Sequence, residues 1–123
     1  MVDKAQRHPA EEATDEALRA LAEPHRRAIL RLVARDEVAA GEIAAAFDVN
    51  RTTISQHLTV LKNAGLISER RDGTRRLYRA RPDALAGLRA FLDDMWASSL
   101  DVARRIVEDQ RGIGDRDGTA RAG

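Results

Sequence analysis

The sequence predicts one mainly α-helical domain with a single β-hairpin. Two observations lead to this fold class. Apolar residues recur at helical spacing in five segments, and an Asp-Gly pair joins two strand-like runs between the fourth and the fifth of them. The chain has 123 residues, of which 43% are hydrophobic, so it can bury one modest core and is most simply one domain.

Both ends of the chain lack an apolar period. Residues 1–13 are polar, and residues 111–123 contain four glycines. We therefore predict a mobile N-terminal segment over 1–13, a folded domain over 14–110 and a disordered C-terminal tail over 111–123.

Two helices are expected at the start of the domain. Thr14 is suited to cap a first helix that runs through Leu18 and Leu21. Pro24 takes a favourable first helical position and opens a second helix, PHRRAILRLVAR. The apolar residues on one face of this second helix are Ile29, Leu30 and Val33.

A short helix, a tight turn and a longer helix follow. The short helix covers about 41–47, and the turn Asp48-Val49-Asn50 ends on a residue that can cap the next helix. That helix runs from about Arg51 to Ala64 and stops at Gly65.

The remaining elements are a hairpin and a long helix. Asp72-Gly73 joins the runs LISERR and TRRLYRA, which is a strong hairpin signal. Pro82 and Asp83 then open a helix that reaches about Gln110. Its apolar residues form a heptad-like seam made of Leu85, Leu88, Leu92, Met95, Val102 and Ile106.

Positive charge is concentrated between residues 50 and 81. This segment has eight basic and two acidic side chains, although the formal net charge of the whole chain is only +1. Such segregation indicates a polyanionic partner or a solvated surface.

Composition and missing motifs argue against several other classes of protein. Cysteine is absent, which removes disulfides and thiolate metal sites. No apolar run approaches the roughly 20 residues of a membrane span, and no signal peptide is visible, so we expect a cytoplasmic protein without membrane contact. No glycine-rich phosphate loop, G-x-S-x-G elbow or H-E-x-x-H motif occurs, so an enzyme is not expected.

From about Leu21 to Trp96 the chain resembles the ArsR family of bacterial transcriptional repressors. The residues that carry the resemblance are LAEPHRRAILRLV, GEIAAAFDV, TTISQHLTVLKNAGLI and ERRDGTRRLYR. The predicted order of elements, α-α-α-α-β-β-α, is that of a winged helix-turn-helix flanked by helices. The resemblance implies a repressor of transcription that binds double-stranded DNA.

The helix over 51–64 has an apolar and a polar side. Ile54, Leu58 and Leu61 lie together on the side that must face the core. The polar residues nearly opposite are Thr52, Gln56, Thr59 and Asn63. Their groups suit base edges in a major groove, and Gln56 can pair bidentately with adenine.

The start of this helix can anchor to phosphate. Arg51, Thr53 and Ser55 lie near free backbone amides and the positive end of the helix dipole. A plainer interpretation is that Thr52, Thr53 and Ser55 are ordinary first-turn residues. His57 can either pack against a neighbouring helix or touch DNA.

In the hairpin, the arginines nearest the tip are the candidates for phosphate or minor-groove contact. They are Arg71, Arg75 and Arg76, and Arg70 and Arg79 lie nearer the base. The alternative is a solvated charged edge that resists aggregation.

A homodimer is expected because one recognition helix reads too few base pairs to find an operator. The resemblance implies that the last helix pairs with the first across a two-fold axis. The candidate interface residues are Leu18, Leu21, Leu88, Leu92, Met95 and Trp96. Alternatively, these residues cap the core of a monomer.

The metal-sensing sites familiar in this family are absent from the sequence. Ala44 and Ala46 occupy the positions of the family's cysteine pair, and the last helix has no histidine. Its acidic residues with seven-residue spacing are Asp94, Asp101 and Glu108. Arg104 and Arg105 lie within helical pairing distance of them, so we expect an ion-paired surface, no metal and no cofactor. The sequence names no effector.

The main rival is a winged helix that docks to an acidic protein through its basic hairpin. Such a module would show no preference among DNA duplexes.

Overall fold

The computed structural model describes residues 9–122, with side chains for residues 9–111. This part of the chain forms five helices and three strands. Their bounds are α1 Pro9–Ala20, α2 Pro24–Arg35, β1 Val38–Ala39, α3 Ala40–Ala45, α4 Arg51–Asn63, β2 Ile67–Asp72, β3 Arg75–Ala80 and α5 Pro82–Ala122. The predicted fold class, mainly helical with a hairpin wing, is confirmed.

Helix α1 begins at Pro9 and not at Thr14, so the predicted cap was wrong. The hydroxyl of Thr14 donates to the carbonyl oxygen of Ala10 at 2.9 Å, which is a contact made inside a helix. Pro9 at the first position and two acidic residues in the first turn, Glu11 and Glu12, favour the earlier start. Residues 9–13 are thus helical, and residues 1–8 of the predicted mobile segment lie outside the described residues.

Helices α2 and α4 both begin at side-chain caps. Pro24 opens α2 as predicted, and the Glu23 carboxylate accepts from the backbone N–H of Arg26 at 3.0 Å. Asn50 caps α4 as predicted, because its Oδ1 accepts from the backbone N–H of Thr53 at 2.8 Å. The chain leaves α4 at Gly65, whose φ of +77° is strained for other residues.

The three strands form an antiparallel sheet with β3 in the middle, in the order β1-β3-β2. Strand β1 was not predicted. It has two residues, which is too short for a visible alternating pattern, and it exists because Val38 pairs with Tyr78 and Ala39 pairs with Leu77.

The hairpin turn is one residue later than predicted. Asp72 pairs with Arg75, so the loop consists of Gly73 and Thr74. Gly73 has a φ of +64°, and no other residue of the loop has a positive φ. A glycine of this conformation at the first of two loop positions is typical of a type II′ turn.

The core lies between the helices and one face of the sheet. Its largest fully buried side chains are Ile29, Val33, Ile43, Ile54, Leu61, Leu66 and Ile67. Each contributes roughly 1.5–3 kcal/mol through burial. The predicted inner face of α4 is confirmed, because Ile54, Leu58 and Leu61 are all buried. The outer face of α4 is thereby directed away from the core.

Helix α5 belongs to two compact units. The residues up to Leu88 form one unit and the residues from Arg89 form the other. The helix continues to Ala122, beyond its predicted end near Gln110 and into the predicted disordered tail. Glycine costs about 1 kcal/mol in a helix relative to alanine but keeps its hydrogen-bonding groups, so a glycine-rich segment need not end a helix. None of the helices in residues 9–122 has the length and apolar character of a membrane span.

Candidate nucleic-acid interface

The outer face of α4 presents the polar side chains that the sequence assigns to base edges. Thr52, Gln56, Thr59 and Asn63 are all exposed. The hydroxyl of Thr59 donates to the carbonyl oxygen of Ser55 at 3.0 Å. In this rotamer Thr59 can accept a hydrogen bond from a base but not donate one.

The first turn of α4 brings the predicted phosphate contacts to one end of this face. Arg51 and Ser55 are exposed, whereas Thr53 is half-buried and its backbone N–H donates to the Asn50 cap. The guanidinium of Arg51 reaches α3, where its Nη2 atom lies 3.8 Å from the position of a Cβ added to Gly41. The Arg51 side chain therefore lies beside α3, at the junction of the helix-turn-helix.

His57 lies on a different side of α4 from the polar face. Only 13% of its side chain is exposed, and its Nε2 atom is 3.7 Å from the Glu23 carboxylate. Its Nδ1 atom is 3.5 Å from Nη1 of Arg26, and its ring is nearly parallel to that of His25. Of the two roles left open for His57, the geometry favours packing against α2.

The tip arginines of the hairpin divide between its two faces. Arg71 pairs with Arg76, and Glu69 pairs with Tyr78 two residues away. Since paired residues and those two positions apart share a face, these four side chains lie on one face of the ribbon. Arg75 lies on the other.

The Arg76 face is next to α4. A recess between the helix and the hairpin is lined by residues of both, including Ser55, Thr59, Lys62, Glu69, Arg76 and Tyr78. The charged groups of this lining are Lys62 from α4 and Glu69 and Arg76 from the hairpin.

A partly buried contact joins this face of the hairpin to α4. The Tyr78 hydroxyl donates to the Glu69 carboxylate at 2.6 Å, and Nζ of Lys62 on α4 is 3.7 Å from the same oxygen. Burial and this hydrogen bond raise the pKa of Tyr78 to about 12. The Tyr78 hydrogen bond lowers the pKa of Glu69 despite partial burial, and the charge of Lys62 adds to it.

The opposite face of the hairpin is joined to preceding elements by ion pairs. Arg70 donates two hydrogen bonds to Glu37, at 2.7 and 2.6 Å. These bonds hold the pKa of the Glu37 carboxyl below its usual range. At the tip, Nη2 of Arg75 donates to Glu42 of α3 at 3.2 Å, with both side chains more than half exposed. Arg75 must exchange Glu42 for phosphate if it contacts DNA.

The charged partners in these hairpin contacts were not among the predicted site residues. They are Glu37, Glu42, Lys62 and Glu69. Lys62 and Glu69 were detectable, because both are charged residues of the basic segment 50–81. Glu37 and Glu42 are each 33 positions away from the arginine that they contact.

The apolar residues assigned to a dimer interface fall into two groups. Leu21 and Leu88 pack partly against the core. The exposed members are Leu18, Leu92, Met95 and Trp96, with Met95 50% and Trp96 66% exposed. Further exposed apolar residues on α5 include Phe91, Leu100, Val102 and Ile106. The exposed apolar residues of α5 form a strip of the kind that marks an interaction surface.

The acidic residues of α5 that could resemble a metal site are largely paired. Asp101 contacts Arg104 at 2.7 Å and Arg105 at 2.8 Å, and Arg104 is 3.9 Å from Glu108. The predicted ion-paired surface is present at these residues. A different group of potential ligands, Glu23, His25 and His57, was not predicted from the sequence.

The chain is similar to known DNA-binding regulators over most of its length. A family model described as a helix-turn-helix domain matches residues 21–70. The HTH-type transcriptional regulator Rv2034 of Mycobacterium tuberculosis is 42% identical over 96 residues, which are 78% of this chain and 90% of that protein. The transcriptional repressor SdpR of Bacillus subtilis is 42% identical over 55 residues, which are 45% of this chain and 61% of that protein.

The fold of the chain is also similar to that of a solved structure. That structure is the homodimeric winged helix-turn-helix DNA-binding domain of a possible ArsR-family transcriptional regulator from Mycobacterium bovis. Its TM-score is 0.61 at 36% identity, and the match covers 79% of this chain and 91% of that one.

Proposed function

Because the chain belongs to the ArsR family of winged helix-turn-helix transcriptional regulators, we propose that it represses transcription as a homodimer on an inverted-repeat operator. The observation that carries the proposal is the exposed polar face of α4 beside an arginine-rich hairpin. Relatives named as a regulator and as a repressor support it. Regulation, and not catalysis, is the activity we propose. A protein that binds a bacterial chromosome would act in the cytoplasm, which is the location we propose.

Helix α4 is the proposed recognition helix. A major groove about 12 Å wide admits one α-helix. Thr52, Gln56 and Thr59 would face the base edges, since Ile54 and Leu58 hold the opposite side of the helix in the core. Gln56 has the longest of these side chains and both a donor and an acceptor, so it is the main candidate for choosing a base.

Positive charge provides the part of the DNA affinity that does not depend on the DNA sequence. Arg51 and Ser55 would contact phosphate at one end of α4, and Arg71 and Arg76 would do so from the hairpin face next to the helix. Each phosphate neutralised releases counterions, so affinity should fall steeply as salt is raised.

A second copy of the chain is the proposed partner of the exposed strip on α5. Burial of large apolar side chains such as Trp96 and Met95 would stabilise the pair. A two-fold dimer presents two recognition helices about one DNA turn apart, which matches an inverted repeat.

Selection of bound fragments from the source genome with the purified chain tests this proposal. The expected result is a small set of sequences with a common inverted repeat, bound in the nanomolar range with a strong salt dependence. Equal retention of all duplexes would instead favour the protein-docking module. Fluorescence anisotropy of a selected and a scrambled duplex, at two salt concentrations, separates the two outcomes.

A further inference from the structure

Two histidines and a glutamate from two helices converge beside the recognition helix. Glu23 caps α2, His25 lies in the first turn of α2, and His57 comes from α4. Within the described residues these three offer ligand atoms that all lie within 4.8 Å of one another. Nδ1 of His25 is 3.0 Å from Oε1 of Glu23, and Nε2 of His57 is 3.7 Å from Oε2.

The chemistry of these donors suits a divalent metal of intermediate softness. Two imidazole nitrogens and one carboxylate oxygen are a common ligand set for Zn²⁺ that leaves a fourth position for water. The site is reachable, since 43% of the His25 side chain and 30% of that of Glu23 are exposed.

We propose that Glu23, His25 and His57 form a Zn²⁺ site that joins the start of α2 to α4. The site differs from the family's cysteine pair, whose positions are Ala44 and Ala46, and from its histidine site on the last helix. Metal–nitrogen bonds are about 2.0–2.1 Å long, so side-chain rotation must bring the donors closer together.

The guanidinium of Arg26 disfavours metal binding at this site. Its Nη1 atom faces Nδ1 of His57 at 3.5 Å, while its Nε donates to the carbonyl oxygen of Ala20 at 2.6 Å. A metal on Nε2 of His57 requires the proton to sit on Nδ1, where it points at the guanidinium. Binding of Zn²⁺ therefore has to displace one end of Arg26.

The test is a Zn²⁺ titration of the purified full chain against a chromophoric chelator, without DNA. We expect one Zn²⁺ per chain. His25→Gln and Glu23→Ser should each weaken binding at least about tenfold, a loss seen even for residues that only support ligands. Serine keeps the helix cap while removing the carboxylate, and circular dichroism checks that both variants are folded.

His8→Gln is the matched control, because it removes the one histidine of the sequence that is not in the cluster. It should bind Zn²⁺ like the unchanged chain. Wild-type affinity in His25→Gln and Glu23→Ser, or no binding by the unchanged chain at micromolar Zn²⁺, would overturn the site.

The Arg26→Gln variant distinguishes a metal site from a cluster that only stabilises the fold. It removes the opposing cation and supplies an oxygen that can accept from Nδ1–H of His57. Tighter binding of Zn²⁺ is expected, and unchanged or weaker binding would contradict ligation through Nε2. Because no DNA is present, failure here leaves the proposed repressor function standing.

Discussion

Gln56 shows how much of the proposed recognition depends on one side chain. It is exposed on α4 two residues after the buried Ile54 and two before the buried Leu58, so the helix fixes its direction. We expect Gln56→Ala to lose discrimination at one base position by about 1–3 kcal/mol if the contact is bidentate. Anisotropy titrations with operators altered at single positions measure this loss.

Gln110→Ala is the matched control for Gln56, since it makes the same change at an exposed position of α5. It should leave the ranking of operators unchanged. If Gln56→Ala also preserves the ranking, the base-reading role is wrong.

Tyr78 predicts how the stability of the folded protein changes at alkaline pH. Its pKa is about 12 in the folded protein against an ordinary value of 10.0, so the folded state holds the phenol proton more tightly than the unfolded state. The corresponding stability is complete below pH 10 and is lost as the pH rises towards 12. We expect Tyr78→Phe to abolish this alkaline loss and to cost about 1–2 kcal/mol at neutral pH.

Urea unfolding of both chains between pH 7 and 12 measures this difference. Two parallel pH profiles would contradict the assignment. Glu69 gives the opposite signature, because its lowered pKa stabilises the fold above about pH 4.5 and that stability is lost as the pH falls through the folded pKa.

At the scale of elements, the two faces of the hairpin predict unequal contributions from its arginines. Arg75→Ala with Arg76→Ala should weaken all duplexes by a similar factor and reduce the salt slope, by about one unit for each phosphate that is no longer neutralised. Arg76 should account for most of the weakening, since Arg75 already pairs with Glu42. Affinities of the single and double variants at four salt concentrations measure the slopes.

Arg89→Ala is the control for nonspecific charge removal, because Arg89 is an exposed arginine of α5. It should change the slope little. An unchanged slope in the double variant would show that the wing does not touch DNA.

The elements also show which features the sequence could predict. Asn50, Pro24 and Gly65 act on their own neighbours in the chain, so the start of α2 and both ends of α4 were predictable. Strand β1 and the Arg70–Glu37 pair depend on residues about 30 or more positions apart. The direction of His57 depends on how α2 and α4 pack, which a helical period alone leaves open.

For the whole molecule, the exposed strip on α5 predicts a dimer that a single charge can disrupt. Met95→Glu would place a carboxylate in an apolar interface, where an unpaired charge is strongly destabilising. The chain should become monomeric at micromolar concentration and lose most of its operator affinity. Sedimentation velocity and anisotropy measure the two effects.

Met95→Leu keeps size and polarity, so it should remain dimeric and bind DNA normally. A Met95→Glu chain that still sediments as a dimer would show that another surface makes the contact.

The position of the single tryptophan gives the protein a built-in optical reporter. Trp96 lies on α5 outside the core, with 66% of its surface in contact with solvent. Its emission should therefore respond weakly to melting of an isolated subunit and shift to the blue when subunits associate. Dilution monitored by ultraviolet fluorescence thus follows self-association without any attached dye.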